Sequence, residues 1–184
     1  GDIKKANDYS NQAVQADEDF REWSHQITKI NENIQNGNRD VHQGLFDEAI
    51  QKYSAILEQH PYFPDAEFYM GLTRFRQKDI EGAALHFSNA LGIYPDHTKA
   101  RKGLDNVTKQ FLNAGNKSYK RGNLDKATIY NQKALEFDPN FYLAYYQLGV
   151  LEKKQGHSQT AIDYLNKVIE VKPDHAKTWF TLGS

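Results

Sequence analysis

The sequence predicts an all-α solenoid of stacked helix pairs, and three observations carry that reading. Four prolines, Pro61, Pro95, Pro139 and Pro173, close similar apolar patterns at intervals of 34, 44 and 34 residues. Small residues recur at fixed places ahead of them: Gly37, Gly71, Gly115 and Gly149, then Ala49, Ala83, Ala127 and Ala161. A shift of 78 residues lays Gly37-Asn38 on Gly115-Asn116, Phe63 on Phe141 and Pro95-Asp96-His97 on Pro173-Asp174-His175, so a two-repeat unit is used twice. Two short amphipathic helices cannot cover their own apolar faces, and stacking neighbouring pairs covers them. The small residues allow helices to approach, and Tyr or Phe fills the gaps between repeats.

The elements follow in chain order. Phe20, Trp23, Ile27, Ile30, Ile34, Gly37 and Val41 are spaced 3, 4, 3, 4, 3 and 4, which makes one apolar stripe on an opening helix. Residues 1–29 form an N-terminal amphipathic segment that extends the first repeat or folds back on it to cap the solenoid. The same stripe suits a coiled-coil seam, so self-association through this helix is the rival reading. Residues 30–63 form the first repeat, with Gly44, Tyr53, Ile56 and Leu57 ahead of Pro61. Residues 64–97 form the second, with Met70, Phe87, Ala90, Leu91 and Ile93 ahead of Pro95.

The third repeat, 98–141, is ten residues longer, and the excess lies in its first helix. Ala100, Leu104, Val107, Phe111 and Ala114 advance by 4, 3, 4 and 3, a single stripe on a helix from about Thr98 to Tyr119. Residues 142–175 form the fourth repeat, carried by Leu148, Gly156, Leu165, Val168 and Ile169. Trp179, Leu182 and Gly183 in residues 176–184 open a fifth repeat or a capping helix. Each proline ends a second helix because it lacks an amide hydrogen and clashes with the preceding turn. His97 and His175, beside the Pro-Asp turns, are placed to hydrogen-bond backbone at the links between repeats.

Composition narrows the function. Hydrophobic residues make up 39% of the chain, as expected of thin layers that expose much surface. No apolar run reaches the roughly 18 residues that cross a bilayer, so membrane insertion is not expected. With no Cys, disulfides, thiolate metal sites and Cys nucleophiles are excluded. The seven His include no pair at i, i+4, which leaves zinc without a ligand pattern. Neither a phosphate-binding glycine loop nor a nucleophile elbow occurs. The chain is therefore expected to be no enzyme and to need no cofactor, and its expected compartment is the cytoplasm.

The net charge of −1 conceals an asymmetry. Residues 1–60 carry 6 basic and 11 acidic side chains, whereas residues 96–126 carry 8 basic and 3 acidic ones. The basic stretch, Lys99 to Lys126, is a solvated helix face or a surface that steers an acidic partner. Nucleic acid is not expected, because no exposed aromatics are interleaved with these cations and the domain is not basic overall.

Over roughly residues 30 to 184 the pattern resembles the tetratricopeptide repeat family. The resemblance implies a right-handed superhelical solenoid of helix-turn-helix repeats. It also implies a concave groove, lined by the first helix of each repeat, that binds a protein or peptide segment. Carrying the family's groove positions across gives Ile34, Asn38 and Val41 from the first repeat, with Asp65, Phe68, Leu72 and Phe75 from the second. Lys109, Leu112, Asn116 and Tyr119 follow from the third, then Leu143, Tyr146 and Val150, and finally Lys177 and Phe180. The equivalent Asn38 and Asn116 can pair with both donor and acceptor of a peptide backbone. Some of the aromatics instead serve packing between repeats.

Residues 115–123 also look like the opening helix of co-chaperone repeats that clamp a chaperone's C-terminal carboxylate. Asn116 and Lys177 match that clamp, but Leu112, Gln147 and Thr181 stand where its Lys, Asn and Arg belong. The expected function is thus a non-catalytic interaction scaffold. Its alternatives are a co-chaperone adaptor and a targeting or regulatory domain of a larger enzyme. A chain that begins with Gly1 and ends at Ser184 inside a repeat is expected to be a piece of something longer.

Overall fold

The computed structural model describes residues 2–184, with side chains described at Gln12 and from Gln15 onward. The described residues form nine helices and no strand. These are α1 (Asp2–Gln43), α2 (Phe46–Gln59), α3 (Pro64–Arg76), α4 (Ile80–Ile93), α5 (Thr98–Lys120), α6 (Leu124–Phe137), α7 (Tyr142–Gln155), α8 (Ser158–Val171) and α9 (Ala176–Leu182). The helices pack most closely in the pairs α1–α2, α3–α4, α5–α6 and α7–α8, each pair packs on the next, and α1, α3, α5 and α7 also touch in succession. The odd-numbered helices make one wall of the solenoid and the even-numbered helices the other.

Within each pair, a glycine on the first helix receives a side chain from the second. A Cβ added at Gly37 would lie 2.6 Å from the Tyr53 ring, at Gly71 2.7 Å from Phe87, at Gly115 2.7 Å from Asn131 Nδ2 and at Gly149 2.8 Å from Leu165 Cδ2. The four recurrent glycines are thus the contact points of the four pairs. Phe87 is also met by Gly103, at 2.7 Å from a Cβ built there, so one ring joins α3, α4 and α5. Around it Phe68, Leu91, Leu104, Val107 and Phe111 form the largest buried cluster.

The turn inside each repeat requires left-handed backbone. Gly44, Lys78, Gly122 and Gly156 occupy equivalent places with φ of 80, 66, 79 and 85°. Three are glycine, which adopts that region without a steric cost, and Lys78 bears the strain of a Cβ there. Short polar caps start two of the second helices, α4 and α6. Asp79 Oδ1 accepts from Gly82 N at 2.9 Å, and Asn123 Oδ1 accepts from Lys126 N at 3.0 Å. His97 caps α5 by accepting from Ala100 N through Nδ1 at 3.0 Å, and its Nε2 lies 3.5 Å from Asp65 Oδ1.

The opening segment extends the first repeat and does not fold back on it. α1 is a single helix of 42 residues, roughly 63 Å long at 1.5 Å per residue. No Gly or Pro interrupts it before Gly37. Its stripe enters the core only at Ile30, which packs with Ile56 and Ala66. Phe20 and Trp23, expected to help cap the solenoid, are instead 63% and 58% exposed.

Candidate functional site

The wall of odd-numbered helices holds the residues expected to line a groove. Between α1 and α3 it encloses a cavity of about 260 Å³ lined by Asn38, Val41, His42, Tyr69, Leu72, Thr73 and Arg76. Three expected residues, Asn38, Val41 and Leu72, meet there. Asn38 Oδ1 accepts from the Tyr53 hydroxyl at 2.9 Å, which fixes the amide and turns its NH₂ group into the available donor. Burial pushes the Tyr53 phenol up to about 12, with Tyr69 and Asp40 adding to the effect, so this hydroxyl stays a donor at any physiological pH.

Further along, Leu112, Asn116, Tyr119 and Val150 are half-buried and Lys109 is exposed. Lys154 Nζ sits 4.6 Å from the Tyr119 ring centroid, a cation held against an aromatic face. Tyr146 meets the His175 ring edge-on at 5.1 Å between centroids, and its hydroxyl is 3.5 Å from Thr181 Oγ1. Lys153 Nζ donates to the Thr181 carbonyl at 3.0 Å and ties α7 to α9. Lys177 is exposed, and Phe180 is 79% exposed. Ile34 leans on the Ile30–Ile56 cluster, and Phe75 and Leu72 flank the large core.

Phe68 does not belong to the surface. It is 6% exposed, and its ring lies 6.0 Å from Phe87 and 5.2 Å from His97. Because α4 and the His97 cap close over this position, Phe68 has no free face for a ligand. It joins the aromatics that serve packing.

Sequence reasoning missed Tyr69, Thr73, Arg76 and His42. Tyr69 stacks on Tyr53 at 5.8 Å and thereby turns one edge to the cavity. The 3-4 spacing of Tyr69, Leu72, Thr73 and Arg76 on α3 was the signal that could have found them.

Elsewhere, a cavity of about 480 Å³ between α1 and α2 is lined by polar His25, Gln26, Lys29, Asn33, Gln59 and His60 with Ile30, Ala55 and Ile56. Among the described residues no cluster of three or more His, Cys, Asp or Glu is placed to hold a metal ion. Among the described residues no helix is long and apolar enough to cross a membrane.

Comparison with known proteins agrees with this architecture. Two models of the tetratricopeptide repeat match residues 34–98 and 130–163, together more than half of the chain. DnaJ homolog subfamily C member 7 of Mus musculus is 29% identical over 142 residues, covering 74% of this chain and 29% of that protein. Its Homo sapiens counterpart is 35% identical over 99 residues, covering 53% of this chain and 20% of that protein. The chain therefore spans less than a third of the length of these curated relatives. Among solved structures, the crystal structure of YrrB, a TPR protein with an unusual peptide-binding site, is similar at 19% identity and a TM-score of 0.41, covering 83% of this chain and 91% of that one. The repeat period, the glycine contacts within each helix pair and the matching family models establish that the chain belongs to the tetratricopeptide repeat family.

Proposed function

We propose that the chain is a non-catalytic interaction scaffold that seats a peptide segment of a partner protein along the odd-numbered wall. The observation that carries this reading is the cavity between α1 and α3. There apolar Val41 and Leu72 stand beside the Asn38 amide, whose acceptor is already used and whose donors remain. Apolar pockets beside fixed polar groups are what an extended or helical peptide needs for affinity and register. Asn116, Tyr146 and Val150 continue the surface, and Phe180 contributes an exposed ring at its far end.

The test is capture of partners from a source lysate with the full chain and with a Leu72→Ala, Asn116→Ala, Tyr146→Ala variant whose helicity is checked by circular dichroism. Loss of partners with the variant supports the wall as the binding surface, and equal capture by both proteins overturns it.

A co-chaperone reading is motivated by Asn116 and Lys177, which match two positions of a carboxylate clamp. Leu112 and Thr181 remove two cations from it, and Gln147 carries the amide on a longer side chain than the clamp's Asn. Each charge-assisted bond contributes about 1.5–3 kcal/mol, so two lost cations weaken a carboxylate ligand by orders of magnitude. Fluorescence polarisation with an acidic C-terminal peptide should give no saturable binding at micromolar concentration. Saturation there would restore the clamp.

A further inference from the structure

The odd-numbered wall carries one basic side chain per repeat at the same place. His42, Arg76, Lys120 and Lys154 are spaced 34, 44 and 34 residues apart, the intervals of the prolines. Arg76 lines the cavity with Val41 and Leu72, and Lys154 covers Tyr119. Salt bridges engage Lys52, Arg74 and Lys133 elsewhere on the molecule, whereas none engages Arg76, Lys120 or Lys154 among the described residues. The wall is thus an apolar surface edged with cations.

The arm of α1 has the opposite character. Every residue from Gln15 to Gln26 is exposed. Phe20 and Trp23 form an aromatic pair 5.9 Å apart between centroids, flanked by Asp17, Glu18, Asp19 and Glu22 against the single cation Arg21. An unsupported helix of this length is marginal in water, and its aromatic face gains stability from a cover. Because α1 is one unbroken helix, the arm runs away from its own solenoid and cannot reach its own wall.

We propose that the acidic, aromatic arm of one copy, Gln15 to Ile27, seats on the basic odd-numbered wall of a second copy, with Phe20 and Trp23 against the apolar strip and the carboxylates on the cation column. This rests on the wall being a binding surface. Seated reciprocally, two arms and two walls close a two-fold dimer, whereas one-way seating propagates into chains. Either way the arm competes with partner peptides for the wall, so self-association regulates capture.

Sedimentation velocity of the full chain over a concentration series tests this at about 50 mM and about 500 mM salt, where screening lengths differ several-fold. The expected result is reversible association that weakens at least tenfold at the higher salt. Asp17→Lys, Asp19→Lys, Glu22→Lys in the arm should abolish it, and so should Arg76→Glu, Lys120→Glu, Lys154→Glu on the wall. A chain carrying both sets should associate again. The arm lies outside the core, so its reversal cannot act by unfolding the solenoid.

A monomer at every concentration overturns the proposal, as does failure of the doubly reversed chain to recover. Association unaffected by the wall reversal overturns it in favour of arms that pair with each other. These results are separable from the reading they rest on. A monomeric chain sinks only the docked arm, whereas lysate partners retained by the Leu72, Asn116, Tyr146 variant sink the wall as a binding surface.

Discussion

Asn131 is the most informative residue for stability. It is 1% exposed, its Nδ2 donates to the Ala127 carbonyl at 2.8 Å, and its Oδ1 has no partner. The equivalent residues of the other pairs are Tyr53, Phe87 and Leu165, each set against its own glycine. Around Asn131, a Cβ at Gly115 would lie 2.7 Å from Nδ2 and 3.3 Å from the Ala127 carbonyl. Around Leu165, a Cβ at Gly149 would lie 2.8 Å from Cδ2 and 3.3 Å from the Ala161 carbonyl. The nearest atom and the carbonyl match to about a tenth of an ångström, while Cγ lies 3.3 Å away in Asn131 and 2.8 Å away in Leu165, so a leucine fits where the asparagine stands once its Cγ sits nearer the glycine.

Asn131→Leu removes an unpaired buried carbonyl that costs about 1–3 kcal/mol and converts buried polar area to apolar area. It forfeits one bond to a carbonyl already engaged in the helix. The expected net gain is about 1–3 kcal/mol. Urea unfolding followed by circular dichroism should show a higher midpoint with an unchanged slope. The reciprocal change, Leu165→Asn, should lower it. A lower midpoint for Asn131→Leu would refute the reasoning and mean that the Oδ1 atom is satisfied in solution by a group the packing argument omits.

Three further outcomes are expected. Lys78→Gly relieves left-handed strain at the one non-glycine turn position with φ of 66° and should raise the unfolding free energy by about 1 kcal/mol in the same urea assay. Phe87→Ala removes a 1% exposed ring shared by three helices and should lower it by about 3–5 kcal/mol. Tyr53 should ionise near 12 in an ultraviolet pH titration. Since its folded pKa exceeds the unfolded value of about 10, its contribution is complete below pH 10 and is lost as pH rises from 10 to 12. Tyr53→Phe should flatten that part of the stability curve.

The fold was legible because the restraints that set it are local and periodic. Gly71 and Phe87 must occur together if two helices are to touch, and a turn after each second helix tolerates proline, so the pattern repeats in the letters themselves. The long first helix of the third repeat was equally visible, since Ala100 to Ala114 keep one stripe; it spans Thr98–Lys120. The candidate site was less legible because burial depends on what covers a position and not on its register. Phe68 and Phe180 occupy the same place in their repeats, yet one is 6% and the other 79% exposed: α4 closes over the first, while α9 has no helix after it in the structure. The column of His42, Arg76, Lys120 and Lys154 lay in the sequence at the proline interval. It gains meaning only when Arg76 is found in the cavity and Lys154 on Tyr119.

The 78-residue symmetry also explains why the two units are not interchangeable. In the second unit, Leu104, Val107 and Phe111 of α5 are buried in one cluster with α4. Their counterparts in the first unit are the polar Gln26, Lys29 and Asn33, which line the cavity of about 480 Å³ between α1 and α2. Three polar side chains of α1 therefore stand where three apolar side chains of α5 pack on α4. Gln26→Leu, Lys29→Val, Asn33→Phe would place apolar side chains at these positions, worth about 1.5–3 kcal/mol each when covered. Light scattering at about 500 mM salt, where charge-driven docking is screened, should show the variant associating end to end while the parent protein stays dissociated. Identical masses for the two would mean that apolar side chains at these three positions do not recruit a neighbour, and that the shape of the α1–α2 surface excludes one by itself.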